Sequence, residues 1–317
     1  MLRVMLSGCI AAASVIHAGS VTAQGFPAKP IRIVATEPGG GGDFAARILA
    51  QGITGPLGQS VVVENRPSGV IPGEIVARAT PDGHTLLVAA SVFVLGPLLQ
   101  KTPYDPVKDF VPVTLVMSSP SLLVSHPSVP VSSVKELVAL AKARPGELNY
   151  ASSGLGASNH LAGELFKAMT GVDIVRVPYK GSGPALTNLV GGQVQIMFSA
   201  TPTALPHVRT GKLRSLAVTS PKPSILAPGV PTMASTIPGY ESVTIFGVWA
   251  PAKTPDAVVA MLNREMVQVL GRADVKEKLL TAGVEAAGST PGELTAAMKG
   301  EIDRMGKVIR DAGIRAD

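Results

Sequence analysis

The sequence predicts an α/β protein of two lobes joined by two crossover strands. Three observations lead there. Short β-branched apolar runs alternate with helical patterns along the chain, the rhythm of a mostly parallel sheet. A middle block repeats the strand–helix order of the first. The C-terminal part is largely helical and needs a sheet from elsewhere in the chain to cover.

The first block reads strand 31–35, helix 43–53 with Phe44, Ile48 and Leu49 on its apolar face, strand 61–63, a short helix 75–79 and strand 85–90. In the middle block, Ser133-Val134-Lys135-Glu136 is a capping box that opens a helix to about Arg144. Strand 148–151 follows, then helix 158–170 stopped by Gly171, strands 174–177, 194–198 and 213–218, and a helix 184–190 ended by Gly191-Gly192. Strand 243–250 leads to Thr254-Pro255, an N-cap followed by Pro at the first helical position, and a helix to about Leu270. Thr290-Pro291-Gly292-Glu293 opens another helix by the same signals. Crossovers near 122–125 and 243–250 divide the chain into one lobe of residues 24–123 and 246–317 and a second of 124–245.

Ahead of the lobes, residues 1–23 read as a cleaved signal peptide: Arg3 supplies the positive start, 10–16 the apolar core, and Val21-Thr22-Ala23 the small residues before the cut. The competing lipoprotein box, Leu6-Ser7-Gly8-Cys9, leaves too few residues ahead of it and puts the apolar run after Cys9. Cleavage after Ala23 removes the chain's one cysteine, and with it disulfides, thiolate metal sites and a thiol nucleophile. The expectation is a periplasmic protein. Beyond residue 23 no apolar stretch is long enough to span a bilayer. A net charge of +6 is spread without clusters and aromatic residues are 4%, which argues against nucleic acid as a partner.

Two loops can carry chemistry. Pro38-Gly39-Gly40-Gly41-Gly42-Asp43 follows a strand and opens a helix, so backbone N–H groups and the positive end of the helix dipole meet there. Ala151-Ser152-Ser153-Gly154-Leu155-Gly156-Ala157-Ser158-Asn159-His160 repeats that arrangement in the middle block, with serine hydroxyls added. One such loop per lobe can close on a carboxylate without an arginine.

Two enzymatic patterns compete with this reading. Gly40-x-Gly42-x-x-Ala45, with Glu64 ending the next strand, fits a relaxed dinucleotide fingerprint, although Asp43 would sit beside the pyrophosphate. Ser153 with His160 as base and Asp43 as orienter would make a hydrolase across the cleft. The elbow, zincin and P-loop patterns are missing, and the histidines have no metal-ligand spacing. No enzyme, cofactor or metal is expected.

A longer set of segments resembles a known family. Lys29-Pro30-Ile31-Arg32-Ile33-Val34, Pro38-Gly39-Gly40 with Asp43 and Arg47, Val61-Val62-Val63-Glu64-Asn65-Arg66-Pro67, Pro81-Asp82-Gly83-His84-Thr85-Leu86-Leu87, Tyr104-Asp105-Pro106, Arg144-Pro145-Gly146-Glu147-Leu148-Asn149-Tyr150-Ala151-Ser152-Ser153-Gly154 and Val177-Pro178-Tyr179-Lys180-Gly181 stand in order at family spacing. They resemble the Bug-type extracytoplasmic receptors of tripartite tricarboxylate transporters, over essentially the whole mature chain. The resemblance implies a type II-like periplasmic-binding-protein ("Venus flytrap") fold. It also implies a small organic acid as ligand, transient contact with membrane transporter subunits, and a monomer. A receptor serving a sensor is the alternative.

By position, the resemblance points to Thr36, Glu37, Gly39, Gly40, Gly41 and Asp43 on one lobe, with Ser91 at the end of the third strand. On the other it points to Ser152, Ser153, Gly156, Ala157 and Ser158, with His160 supporting the loop, then Tyr179, Lys180 and Ser199. Glu37 stands where the family has a small residue, Ser199 where it often has Asp, and the segment after Pro67 lacks the usual glycine run. An acid at 37 favours a monocarboxylate, amino acid or nicotinate-like ring over a tricarboxylate. Phe93, Tyr179 and Phe198 are the aromatic side chains expected near the cleft, too few for a sugar site.

Overall fold

A computed structural model describes residues 25–67 and 70–314. The expected signal peptide, residues 1–23, and the Cys9 alternative lie outside the described residues. Among the described residues no helix is long and apolar enough to cross a membrane.

The chain forms two sheets, each covered by helices on both faces. The first sheet takes β1 (Ile31–Ala35), β2 (Val61–Asn65) and β3 (Thr85–Ala90) in the order β2-β1-β3, all parallel. It continues through β9 (Val243–Pro251) and β4 (Phe110–Ser125), which run antiparallel, with the short β10 (Glu285–Ala286) on the edge of β4. Helices α1 (Gly41–Leu57) and α8 (Asp256–Gly271) cover one face, and α9 (Ala273–Thr281) packs beside α8. Ile31, Ile33, Leu49, Leu86, Val248 and Leu262 are buried there. On the other face α2 (Ile71–Ala77) and α3 (Val92–Leu99) enclose Phe93, Tyr104, Phe110 and Trp249.

The second sheet contains β5 (Asn149–Ser152), β6 (Val175–Pro178) and β7 (Ile196–Ala200), with β5 parallel to both neighbours. The far half of β4 lies antiparallel to β7 and to β8 (Arg214–Val218). Helices α4 (Val134–Ala143) and α5 (Ser158–Thr170) cover the face that buries Tyr150, Phe166, Phe198 and Tyr240. The opposite face, with Leu122, Leu186 and Met197, lies under α6 (Ser182–Val190) and α7 (Thr201–Arg209).

Strand β4 serves both sheets. Pro120 pairs with Val243 in the first and Ser121 with Ala200 in the second, so the changeover falls between two adjacent residues. The return passes Ser242, whose N–H donates to Thr219 O before β9 begins. The last helix, α10 (Pro291–Asp311), spans both cores. Leu294 and Met298 pack with Trp249, whereas Met305, Val308 and Ile309 pack with the Tyr150 cluster.

Most predicted elements are present, and the differences have local causes. The structure forms α3 where no element was predicted, because burial of Phe93, Val94 and Leu95 outweighs the break that Gly96-Pro97 suggests. Thr254 does not cap α8: its buried hydroxyl donates to Pro251 O at 2.7 Å, and Pro255 takes the cap position. The box at α4 is shifted, with Ser133 Oγ accepting from the Glu136 N–H while the Glu136 carboxylate reaches back to Ser132. At α10 the predicted box is complete, Thr290 and Glu293 capping each other.

Candidate functional site

The glycine loop is held from inside by Asp43. Its Oδ2 accepts the Gly39 N–H at 2.9 Å, its Oδ1 accepts from Asn65 Nδ2 at 2.9 Å, and Arg47 Nε lies 2.8 Å away. Burial alone would push this carboxyl up, but the bonds from Arg47, Gly39 and Asn65 outweigh it and hold the group below its ordinary value. Asn65 also donates to Thr36 O at 2.6 Å, so the end of β2 clamps the end of β1. The N-cap residue of α1, Gly40, has no side chain to accept from the first-turn N–H groups, so the positive end of the helix is left without a side-chain cap.

The second loop is braced in a related way. Asn159 Oδ1 accepts both the N–H (3.1 Å) and the hydroxyl (3.0 Å) of Ser153. Ser152 Oγ accepts from Arg176 Nε at 2.7 Å, and Ser152 is fully buried. Gly156, at φ +71°, takes a left-handed conformation that suits glycine, and its N–H donates to His160 Nδ1 at 3.0 Å. His160 is 3% exposed. Burial, assisted by the nearby Arg176 charge, lowers its pKa from 6.5 to about 4, so the ring is neutral and accepts at Nδ1.

A pH consequence follows. The folded protein holds His160 neutral where the unfolded chain would protonate it, so its contribution to stability is complete above pH 6.5 and is lost as pH falls towards 4. Melting curves between pH 7 and 4.5 should therefore fall more steeply for the native protein than for His160→Gln, which keeps an acceptor for Gly156. Parallel curves would refute this role.

The two loops meet at one cavity of about 480 Å³, within the usual range for small-molecule sites. Thr36, Glu37, Gly40 and Gly41 line it from the first sheet, and Gly156 and Ala157 from the second. A recess beside it takes in Gly39 and Asp43, and a smaller cavity of about 220 Å³ takes in Ser91 and Ser158. Ser152, Ser153, His160, Tyr179, Lys180 and Ser199 line none of these three. Ser152, Ser153 and His160 shape the loop from behind, Lys180 is exposed, and Ser199 is buried in β7 opposite Leu122. Among the described residues that line the 480 Å³ cavity between the two loops there is no Lys, Arg or His, and Glu37 is the one carboxylate.

The aromatic reading needs correcting. Phe93 lines the cavity as expected, but Phe198 is fully buried in the core and Tyr179 packs on the Leu122 cluster. Tyr104 and Phe246 line it instead, with Leu99 and Leu155. Their sequence signal was slight: Tyr104 was visible only as part of Tyr104-Asp105-Pro106.

The rival chemistries meet engaged groups. Glu64, the acid required to grip a ribose, is paired with Arg32 at 3.2 Å and with Arg66. In the imagined triad, the Ser153 hydroxyl donates to Asn159, His160 Nδ1 accepts from Gly156, and Asp43 is tied to Gly39, Asn65 and Arg47. Among the described residues no group of three or more His, Cys, Asp and Glu could hold a metal.

Comparison with known proteins gives a consistent picture. Residues 45–314 match the model of the tripartite tricarboxylate transporter family receptor. The protein BugT of Bordetella pertussis is 39% identical over 305 residues, covering 94% of each chain. A structure of Rpa4515 from R. palustris with adipate is 37% identical, covers 92% of this chain and 99% of its own, and superposes with a TM-score of 0.72. A ligand-free TctC solute binding protein from Polaromonas is 25% identical, covers 90% and 99%, and superposes with a TM-score of 0.84.

Proposed function

The chain belongs to the tripartite tricarboxylate transporter receptor family, and from that premise we propose that it is a periplasmic, monomeric receptor that closes its lobes on a small organic acid and presents it to membrane transporter subunits. The observation that carries this reading is the shared cavity. Two loops from two sheets, each braced by its own carboxylate or amide side chain and each leading into a helix N-terminus, border one space. A carboxylate fits such a donor array without a cation. The Rpa4515 neighbour is described with an acid, adipate.

In this reading Thr36, Gly40 and Gly41 meet the acid from one lobe, and Gly156, Ala157 and Ser158 from the other. Ser152, Ser153, Asp43 and His160 keep the two loops in shape. The lobes divide as residues 24–123 with 246–317, and 124–245; the sharp changeover in β4 supports a hinge close to those limits. The better overlay with the ligand-free neighbour, despite its lower identity, supports reading this structure as the open form.

A thermal-shift screen against mono-, di- and tricarboxylates, amino acids and NAD tests the proposal. Ligand at 100 times its Kd adds about 2.7 kcal/mol, a shift of about 5 °C at this size. A shift with an acid supports the receptor; a shift with NAD alone overturns it.

A further inference from the structure

The cavity between the loops is built for more than a carboxylate. Its walls are largely apolar: Val92, Phe93, Leu99 and Phe246 from the first sheet and its helices, and Leu155 from the second loop. Val92 is 59% exposed and Leu155 49%, so two large apolar side chains from opposite lobes stand uncovered at this space. A highly hydroxylated or multiply charged ligand leaves those surfaces wet. One with a hydrocarbon body covers them.

Tyr104 adds a polar point. The residue is 6% exposed, and its ring rests on the backbone of Gly73, where a Cβ would lie 2.6 Å from the ring edge. Stacking on Phe93 at 5.1 Å and an edge contact with Phe110 fix its orientation. The tip lies beside Gly96, which also lines the cavity. No hydrogen bond within the described residues engages its hydroxyl, which is not among the fully enclosed polar atoms and is open to a partner in the cavity that Tyr104 lines. Burial raises its pKa to about 12, so it stays protonated and able to donate.

We infer that the acid bound here carries a single carboxylate on an apolar, ring-sized body, and that the Tyr104 hydroxyl reads an uncharged hydrogen-bonding atom at the far end of that body. The inference rests on the proposed carboxylate site for the near end. A second carboxylate at the far end would find no cation among the described lining residues and would share the cavity with Glu37.

The test is calorimetric titration of the mature protein, freed of carried-over ligand by unfolding and refolding, with benzoate, 4-hydroxybenzoate, adipate, succinate and citrate. The expected result is 4-hydroxybenzoate tightest, benzoate weaker, and both at least about tenfold tighter than the three polycarboxylates. Tyr104→Phe should weaken 4-hydroxybenzoate by roughly fivefold to tenfold and leave benzoate within about twofold. Tightest binding of adipate, succinate or citrate overturns the inference and leaves the carboxylate receptor standing. Silence with all five overturns the inference and leaves the receptor to be decided by the wider screen of acids. An unchanged 4-hydroxybenzoate affinity in Tyr104→Phe removes the role of its hydroxyl. Should that variant fail to fold, the ratio of 4-hydroxybenzoate to benzoate in the native protein decides: a ratio near one refutes the far-end contact.

Discussion

Gly42→Val should abolish ligand capture while leaving the fold in place. A Cβ at this position falls 2.7 Å from Thr36 Oγ1 and 3.5 Å from Val88 O, inside the junction of β1, β3 and the first turn of α1. The nearest backbone cannot recede, because Thr36 O is held by Asn65 and β3 is a central strand. Relief comes from rotation of the Thr36 side chain, which lines the cavity, or from a shift of the loop, and either one reshapes the wall that meets the acid. Donor arrays lose most of their effect when misplaced by about an ångström, so the affinity for whichever acid binds should fall at least about 100-fold. The far end of the cavity and both cores are untouched, and the melting temperature should stay within a few degrees. Titration and a melting curve on one preparation check it; retained affinity would mean that this loop does not hold the acid.

The second large effect concerns stability. Trp249 is fully buried on β9, within 5.1 Å of the Phe93 ring, and its Nε1–H donates to Met298 Sδ at 3.0 Å. Trp249→Ala opens a cavity in the cluster that also seats Tyr104 and the first half of α10. Such truncations cost about 3–5 kcal/mol, a fall in melting temperature on the order of 10 °C. Calorimetry checks it. A loss under about 1 kcal/mol would mean that the cluster collapses into the space, and that α10 is held chiefly by its other half.

Much of the architecture was legible because period and punctuation agree. Strands Ile31–Ala35 and Thr85–Ala90 and the helix Ser158–Thr170 with its glycine stop are regular, locally consistent segments. Strand β4 was not legible at its full sixteen residues, since Pro112 and Pro120 break the pattern that pairing with β9 restores. Nor was α3, where packing overrides the Gly-Pro signal. The glycine loop could be read because backbone donors at a helix start need no side chain to identify them. Tyr104, Leu155 and Phe246 could not, because no sequence pattern tells which aromatic or leucine turns towards a space formed by segments more than fifty residues apart. Phe198 and Tyr179 show the converse: a strand's alternation distinguishes its two faces without naming the one that meets the cleft.

The reach of α10 across both cores also bears on the order of assembly. Leu87 waits for Trp249 before β3 gains its second neighbour, and both the Trp249 and Tyr150 clusters wait for residues 294–309. Neither half can finish before those residues dock. Long-range closure of this kind slows folding and keeps the nascent polypeptide loose. Helix α10 therefore acts as a latch: both cores stay incomplete until residues 294–309 dock across them.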